Sequence, residues 1–163
     1  MAFHKPEWLR LDNAAKIYPA AKRRNWLNVF RVSSTLKEPV DPAVLKSALD
    51  VTVRRFPSIA VRIESGMFWY YLESIGKAPE PVPERPYPCT KMTSRDLSRC
   101  AFRVLYYENR IAVEFFHALT DGNGGLVFLK TLTAEYIFQK YGAHIPSVLG
   151  VLDRAASPTD SSI

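Results

Sequence analysis

The sequence contains few residues of the kinds that bind metals or form disulfides. Its two cysteines, Cys89 and Cys100, stand in neither a metal-binding nor a redox-type spacing, so we expect reduced thiols that are structural or exposed. The three histidines are His4, His117 and His144, and no two of them share a helical or strand spacing suited to one ion. The sequence therefore predicts no metal site.

Long apolar runs and two common nucleotide and nucleophile motifs are also absent. No segment approaches the roughly eighteen uninterrupted apolar residues of a transmembrane helix. Residues 1–10 lack the apolar core of a secretory signal, so we expect no membrane span and a cytoplasmic location. The absence of Gly-x-x-x-x-Gly-Lys and of Gly-x-Ser-x-Gly argues against a nucleotide hydrolase and a serine hydrolase.

The charge is moderately basic, with a net value of +6 at pH 7 and basic runs at residues 22–24 and 54–55. A nucleic-acid-binding protein would need a denser basic face beside aromatic platforms, so we expect no nucleic-acid partner. The positive charge would suit a polyanionic ligand, and it would equally suit solubility.

Helical and strand patterns alternate along the first two thirds of the chain. Residues 29–36 alternate like a strand, and Asp41 followed by Pro42 predicts a helix start, with Pro57 ending the apolar helical pattern. Residues 59–64 and 67–73 predict a β-hairpin. The proline-rich segment 76–96 is expected to cross the surface without regular structure.

A second hairpin and a long helix follow. Residues 102–107 and 111–117 alternate on either side of a turn at Glu108 and Asn109, and residues 126–141 have a helical pattern that Gly142 can cap. The predicted class is α/β (α+β), a two-layer sandwich with a mixed sheet. We expect one domain over residues 1–150, followed by a disordered tail or linker over residues 151–163.

The segment between the second hairpin and the long helix reads FFHALTDGNGG, residues 115–125. It places His117 at a strand end before an acidic, glycine-rich turn, where a rigid element holds a side chain and a loop leaves room for a ligand. Imidazole titrates near neutral pH, so a fixed neutral histidine can accept a proton from an alcohol or amine. The alternatives are a satisfied core histidine and a phosphate-binding glycine loop.

The H-x-x-x-D-G pattern of His117, Asp121 and Gly122 resembles the signature of the coenzyme A-dependent acyltransferase superfamily. That superfamily includes chloramphenicol acetyltransferase, plant acyltransferases, alcohol acetyltransferases and the condensation domains of peptide synthetases. The helix that starts at Asp41 and ends at Pro57 also resembles the first helix of this superfamily, and the segment 11–19 resembles the opening of bacterial alcohol acetyltransferases. The resemblance covers nearly all of residues 9–142 and corresponds to the N-terminal half of the superfamily fold.

The resemblance implies an enzyme that moves an acyl group from acyl-coenzyme A, a cosubstrate and not a bound cofactor, to a small alcohol or amine. It implies that His117 is the general base. Asp121 could orient His117 or lock the turn. In the family this aspartate usually locks the turn and pairs with an arginine, for which the candidates are Arg23, Arg24, Arg31 or a residue outside this chain. Gly122 is expected to give the turn its freedom. The oxyanion donor is not assigned.

Two departures from the family pattern keep other functions open. Condensation domains usually have a second histidine before the catalytic one, and Phe116 occupies that position here. The superfamily's second half usually contains an Asp-Phe-Gly-Trp-Gly-like motif, which residues 1–163 lack. One alternative is therefore a non-catalytic interaction module that self-associates through an exposed half-interface. The other is a condensation domain that uses a carrier-bound donor.

Overall fold

The computed structural model describes residues 8–9, 29–65, 67, 70–147 and 150–156. Within these ranges the strands are β1 Trp8–Leu9, β2 Val29–Thr35, β3 Val61–Ser65, β4 Tyr70–Ser74, β5 Val82–Pro83, β6 Phe102–Tyr107 and β7 Arg110–Phe116. The helices are α1 Pro42–Thr52, which continues into a 3-10 turn at Val53–Arg55, then α2 Ser94–Leu97 and α3 Gly122–Tyr141.

The strands form two sheets. One is antiparallel with the order β1-β4-β3, and the other has four strands in the order β2-β7-β6-β5. In the larger sheet β5 runs parallel to β6, whereas β2, β7 and β6 pair antiparallel, so this sheet is mixed. The predicted α+β class with a mixed sheet is confirmed, as are both predicted hairpins.

One face of the four-stranded sheet is covered by α1 and α3, which pack together over alternate residues of β6 and β7. Four phenylalanines meet there at ring-centroid distances of 5.0 to 6.1 Å, mostly edge to face, which is a favoured arrangement for aromatic rings. They are Phe56, Phe102, Phe115 and Phe128. The aromatic cluster therefore fixes α3 against the central strand β7.

Helix α1 begins where the sequence predicts. The Oδ1 atom of Asp41 accepts hydrogen bonds from the backbone N–H groups of Ala43 at 3.0 Å and Val44 at 3.3 Å, and Pro42 occupies the first turn. Proline is tolerated there because its missing N–H would have no helical partner. The backbone N–H of Asp41 also donates to Tyr136 Oη at 2.8 Å, which ties the start of α1 to α3.

The opposite face of the sheet contains a buried ion cluster. Glu114 of β7 is 1% exposed and lies directly across from Arg31 of β2 and Arg103 of β6. Arg103 Nε donates to Glu114 Oε2 at 2.5 Å, Arg31 Nη1 lies 3.5 Å from Oε1, and the backbone N–H of Cys89 donates to Oε1 at 2.7 Å. These partners compensate a carboxylate that would otherwise be costly to bury.

The segment 76–96 is more regular than predicted. It contains β5, whose neighbour Glu84 donates its backbone N–H to Tyr106 O at 2.9 Å, and the short helix α2. Thr93 and Asp96 form a reciprocal capping box at the start of α2. Pro83 is compatible with β5 because β5 is an edge strand. Burial opposes ionisation of Glu84, but hydrogen bonds from Arg110 and Arg31 hold the pKa of its carboxyl below the ordinary value.

The last described segment, residues 150–156, packs onto α3. The backbone N–H of Leu152 donates to Thr131 Oγ1 at 3.1 Å, and Arg154 Nε donates to Glu135 Oε2 at 3.1 Å in a pair whose side chains are each 8% exposed. Leu152 and Arg154, which fall in the segment predicted as a tail or linker, therefore contact α3. The rest of the predicted tail, residues 157–163, lies outside the described residues.

Cys89 and Cys100 are free thiols, and burial raises the pKa of Cys100 to about 11. Among the described helices, none combines the length and apolar character needed to cross a bilayer.

Candidate functional site

His117 is the first residue after β7. Strand β7 is held on both sides by β2 and β6, and the backbone N–H of Phe116 donates to Ala101 O at 3.0 Å. The chain then turns at once, because the N–H of Leu119 donates back to Phe116 O at 3.0 Å. A central, doubly paired strand thus holds the backbone of His117 in place.

The imidazole of His117 is exposed in this chain, unlike the buried side chains of Phe115 and Phe116 that precede it. Its ring lies edge-on to Phe30, with centroids 5.1 Å apart, and Phe30 stacks on the buried Phe115 at 5.4 Å. Among the described residues the imidazole has no hydrogen-bond partner. The aromatic contact supports one side of the ring and leaves its polar atoms open.

Asp121 is the N-cap of α3. Its Oδ1 accepts a hydrogen bond from the backbone N–H of Gly124 at 2.8 Å, and its carbonyl accepts from the N–H of Gly125 at 3.0 Å. Among the described residues no hydrogen bond joins Asp121 to His117, and the carboxylate bonds to the start of α3. The carboxylate satisfies a helix-end donor that has no partner within the helix.

One of the three candidate arginine partners of Asp121 lies within the described residues. Arg31 pairs with Glu84 and Glu114 on the opposite face of the sheet. Arg23 and Arg24 lie outside the described residues. Within the described ranges Asp121 therefore has a backbone partner and no ion-pair partner.

The glycine-rich stretch is the first turn of α3 and not a loop before it. The sequence predicted a helix from residue 126, but α3 begins at Gly122 because the Asp121 cap outweighs the weak helix preference of glycine. A Cβ atom at Gly125 would lie 2.9 Å from the ring of Phe30 and 3.2 Å from that of Phe115, so only glycine lets α3 approach the two strands. A Cβ at Gly122 would meet no atom within 4 Å, so the structure gives no steric reason for glycine there.

We expect Gly125→Ala to lower the free energy of unfolding by about 1–3 kcal/mol, because the added methyl group forces apart two packed rings. Gly122→Ala is the matched control in the same helical turn. It should leave stability unchanged or raise it by up to about 1 kcal/mol, since alanine favours helix and the space is open. Urea unfolding of both variants measures the difference; equal stabilities would contradict the close-approach explanation.

Two features of the site could not be identified from sequence alone. Phe30 is an ordinary apolar position of a predicted strand, and only the pairing of β2 with β7 brings it beside His117. Gly125, not Gly122, meets packed rings that exclude a side chain, and the sequence offers no means of ranking the three glycines at positions 122, 124 and 125. No group of three or more His, Cys, Asp or Glu side chains among the described residues could hold a metal ion.

No protein-family model and no curated protein matches the sequence. Solved structures do match, with low sequence identity. The starter condensation domain of rhizomide synthetase matches with a TM-score of 0.67 and 12% identity, covering 88% of this chain and 40% of that one. The X-domain from teicoplanin biosynthesis matches with a TM-score of 0.66 and 19% identity, covering 88% and 35%.

A third match is polyketide synthase associated protein 5 from Mycobacterium tuberculosis, with a TM-score of 0.60 and 17% identity, covering 85% of this chain and 35% of that chain. The protein thus has the fold of condensation domains and X-domains over the part of those structures that it covers. The chain spans about two fifths or less of the length of these structures. At such identities the likeness establishes the fold and leaves the activity open.

Proposed function

We propose that the native polypeptide containing this chain performs condensation-type acyl transfer, with His117 as the general base and a carrier-bound thioester as the donor. The observation that carries the proposal is the placement of His117 at the exposed end of the central strand of a condensation-domain fold. The acceptor is an amine or an alcohol.

The proposed chemistry needs one proton acceptor. The neutral imidazole of His117 takes the proton of the acceptor as its nitrogen or oxygen attacks the thioester carbonyl. The tetrahedral oxyanion collapses, the carbon–sulfur bond breaks, and the thiolate leaves and is protonated. Proton transfer by a positioned base contributes roughly 10²–10⁴-fold, and the remaining rate enhancement comes from positioning.

Phe30, Asp121 and Gly122 belong to the proposal as supporting residues. Phe30 contacts the edge of the imidazole, and Asp121 caps the helix that follows the turn. Gly122 leaves open space next to this helix start, which would admit a substrate. Because the chain spans two fifths or less of its structural neighbours, we propose that the remaining part of the polypeptide lines the other side of the reaction channel.

The donor is the point on which the proposal departs from the alcohol acetyltransferase interpretation. Several matching structures are condensation domains of synthetases, whereas none of the structures described above is named as an alcohol acetyltransferase. Phe116 is a single motif position that favours the acyltransferases. The structural similarity to condensation domains, by contrast, extends over most of the chain. We therefore rank a carrier-bound thioester above acyl-coenzyme A.

A donor comparison tests the proposed function. The native polypeptide is incubated with an amine and an alcohol acceptor and with the same acyl group on either a carrier protein or coenzyme A. Mass spectrometry of the product should reveal faster transfer from the carrier. Transfer from coenzyme A alone would restore the acetyltransferase interpretation, and no transfer from either donor would overturn an enzymatic function.

A second candidate function is protein binding without turnover. One matching structure is a complex of the X-domain with OxyB, so a protein of this fold has been captured with a protein partner. Among the described residues, no hydrogen bond orients the imidazole of His117. A histidine without a catalytic role would not need such a bond. Absence of product in the donor comparison, with intact folding, would favour this candidate.

A further inference from the structure

A cavity of about 500 Å³ lies between the end of α1 and the segment that follows β4. Its volume falls in the range of pockets that hold small organic ligands. Apolar side chains form about half of its wall, namely those of Val53, Pro57, Ala60, Ile75 and Ala78. His117 does not line this cavity, so the cavity is separate from the proposed catalytic residue.

The charged side chains at the cavity differ in whether an oppositely charged side chain pairs with them. Asp50 accepts two hydrogen bonds from Lys46 Nζ, at 2.6 and 2.5 Å. Arg54 and Lys77 also line the cavity, and neither pairs with a carboxylate within the described part of the chain. By contrast, Arg103 and Arg154 each pair with a buried glutamate. Arg54 and Lys77 are thus two cations beside an apolar wall, with their charges available to a ligand.

Gly76 keeps part of this space open. A Cβ atom there would meet no heavy atom within 4 Å, and the backbone of Gly76 does not adopt the left-handed conformation that requires glycine. A larger side chain could therefore be accommodated without backbone strain, and it would occupy space at the cavity. Position 76 is thus a natural place to fill the cavity without disturbing the fold.

We propose that this cavity binds a monocarboxylate with an apolar chain. Asp50 is already paired with Lys46, so the lining charges without an ion-pair partner among the described residues are those of Arg54 and Lys77, and both would attract a carboxylate. The apolar wall would cover the chain of the ligand.

Octanoate is a suitable probe, and octylammonium is its matched control because it has the same apolar body and the opposite charge. Calorimetry and ligand-detected NMR on the native polypeptide should give a dissociation constant of about 1 mM or below for octanoate, as expected for a ligand of this size. Octylammonium should bind at least about tenfold more weakly. Equal binding of the two ligands, or no octanoate binding, would overturn the proposal.

Substitutions test whether octanoate binds in this cavity. Arg54→Gln with Lys77→Gln removes both cations, and Gly76→Leu fills the cavity; each should weaken octanoate binding by at least about tenfold. The control, Lys91→Gln with Arg95→Gln, removes an exposed lysine and an exposed arginine elsewhere and should leave binding unchanged. His117→Ala should also bind octanoate normally, which separates this site from the proposed catalysis. Unweakened binding to both cavity variants, with unchanged melting temperatures, would disprove the site.

Discussion

Replacement of His117 by alanine is expected to lower the rate of acyl transfer by roughly 10²–10⁴-fold, the contribution of a positioned general base. The imidazole is exposed and contacts Phe30 only at a ring edge, so its removal leaves the core intact. Single-turnover formation of product from a carrier-bound thioester measures the effect on the chemical step. The melting temperature should remain within the range of the unsubstituted protein.

His144→Ala is the matched control for this substitution. His144 is also exposed and also approaches a single aromatic ring, that of Phe138, at a centroid distance of 6.4 Å. It lies beyond the C-terminal end of α3, at the opposite end of that helix from Asp121. The control should transfer at the normal rate. Comparable rates for the two variants would exclude His117 as the base while leaving the fold assignment untouched.

Replacement of Glu114 by alanine is expected to lower the free energy of unfolding by about 3 kcal/mol, the lower end of the cost of breaking a buried ion pair. The variant leaves Arg31 and Arg103 without their shared carboxylate, although their side chains are only 14% and 18% exposed. The cost stays at the lower end because Arg31 retains Glu84 and Arg103 retains the carbonyl of Thr90. Urea unfolding monitored by circular dichroism gives the value.

Glu64→Ala provides the comparison for a surface ion pair. Glu64 lies 3.6 Å from Arg62, and the side chains are 30% and 41% exposed, so the loss should stay below about 1 kcal/mol. A loss at Glu114 no larger than this would mean that the buried cluster contributes little to stability. Any role for it would then be in fixing the register of β2, β7 and β6.

Short-range rules account for the parts of the fold that the sequence predicts correctly. The Asp41–Pro42 start of α1 depends on groups within three residues, and the glycine cap at Gly142 depends on one backbone angle, a φ of 68°. The two hairpins follow from alternation on either side of a short turn. These elements are readable because the interactions that form them are close together along the chain.

Short-range rules give the wrong secondary structure where contacts between residues far apart in the chain determine it. The glycine-rich stretch 122–125 favours a loop by propensity, yet it is helical because Asp121 caps it and Gly125 fits against Phe30 and Phe115. Segment 76–96 was expected to be irregular, and it forms β5 because Glu84 bonds to Tyr106 across the sheet edge. Propensity describes one residue at a time, whereas these contacts join elements separated along the chain.

The sequence by itself determined the candidate base, its position at a strand end and the class of fold. Tertiary structure alone decided that His117 is exposed, that Phe30, 87 positions earlier, supports its ring, and that Glu114 is buried between two arginines. The physical reason is that strand pairing and helix packing bring together residues far apart in the chain. Burial, ion pairing and cavities arise only from those long-range contacts.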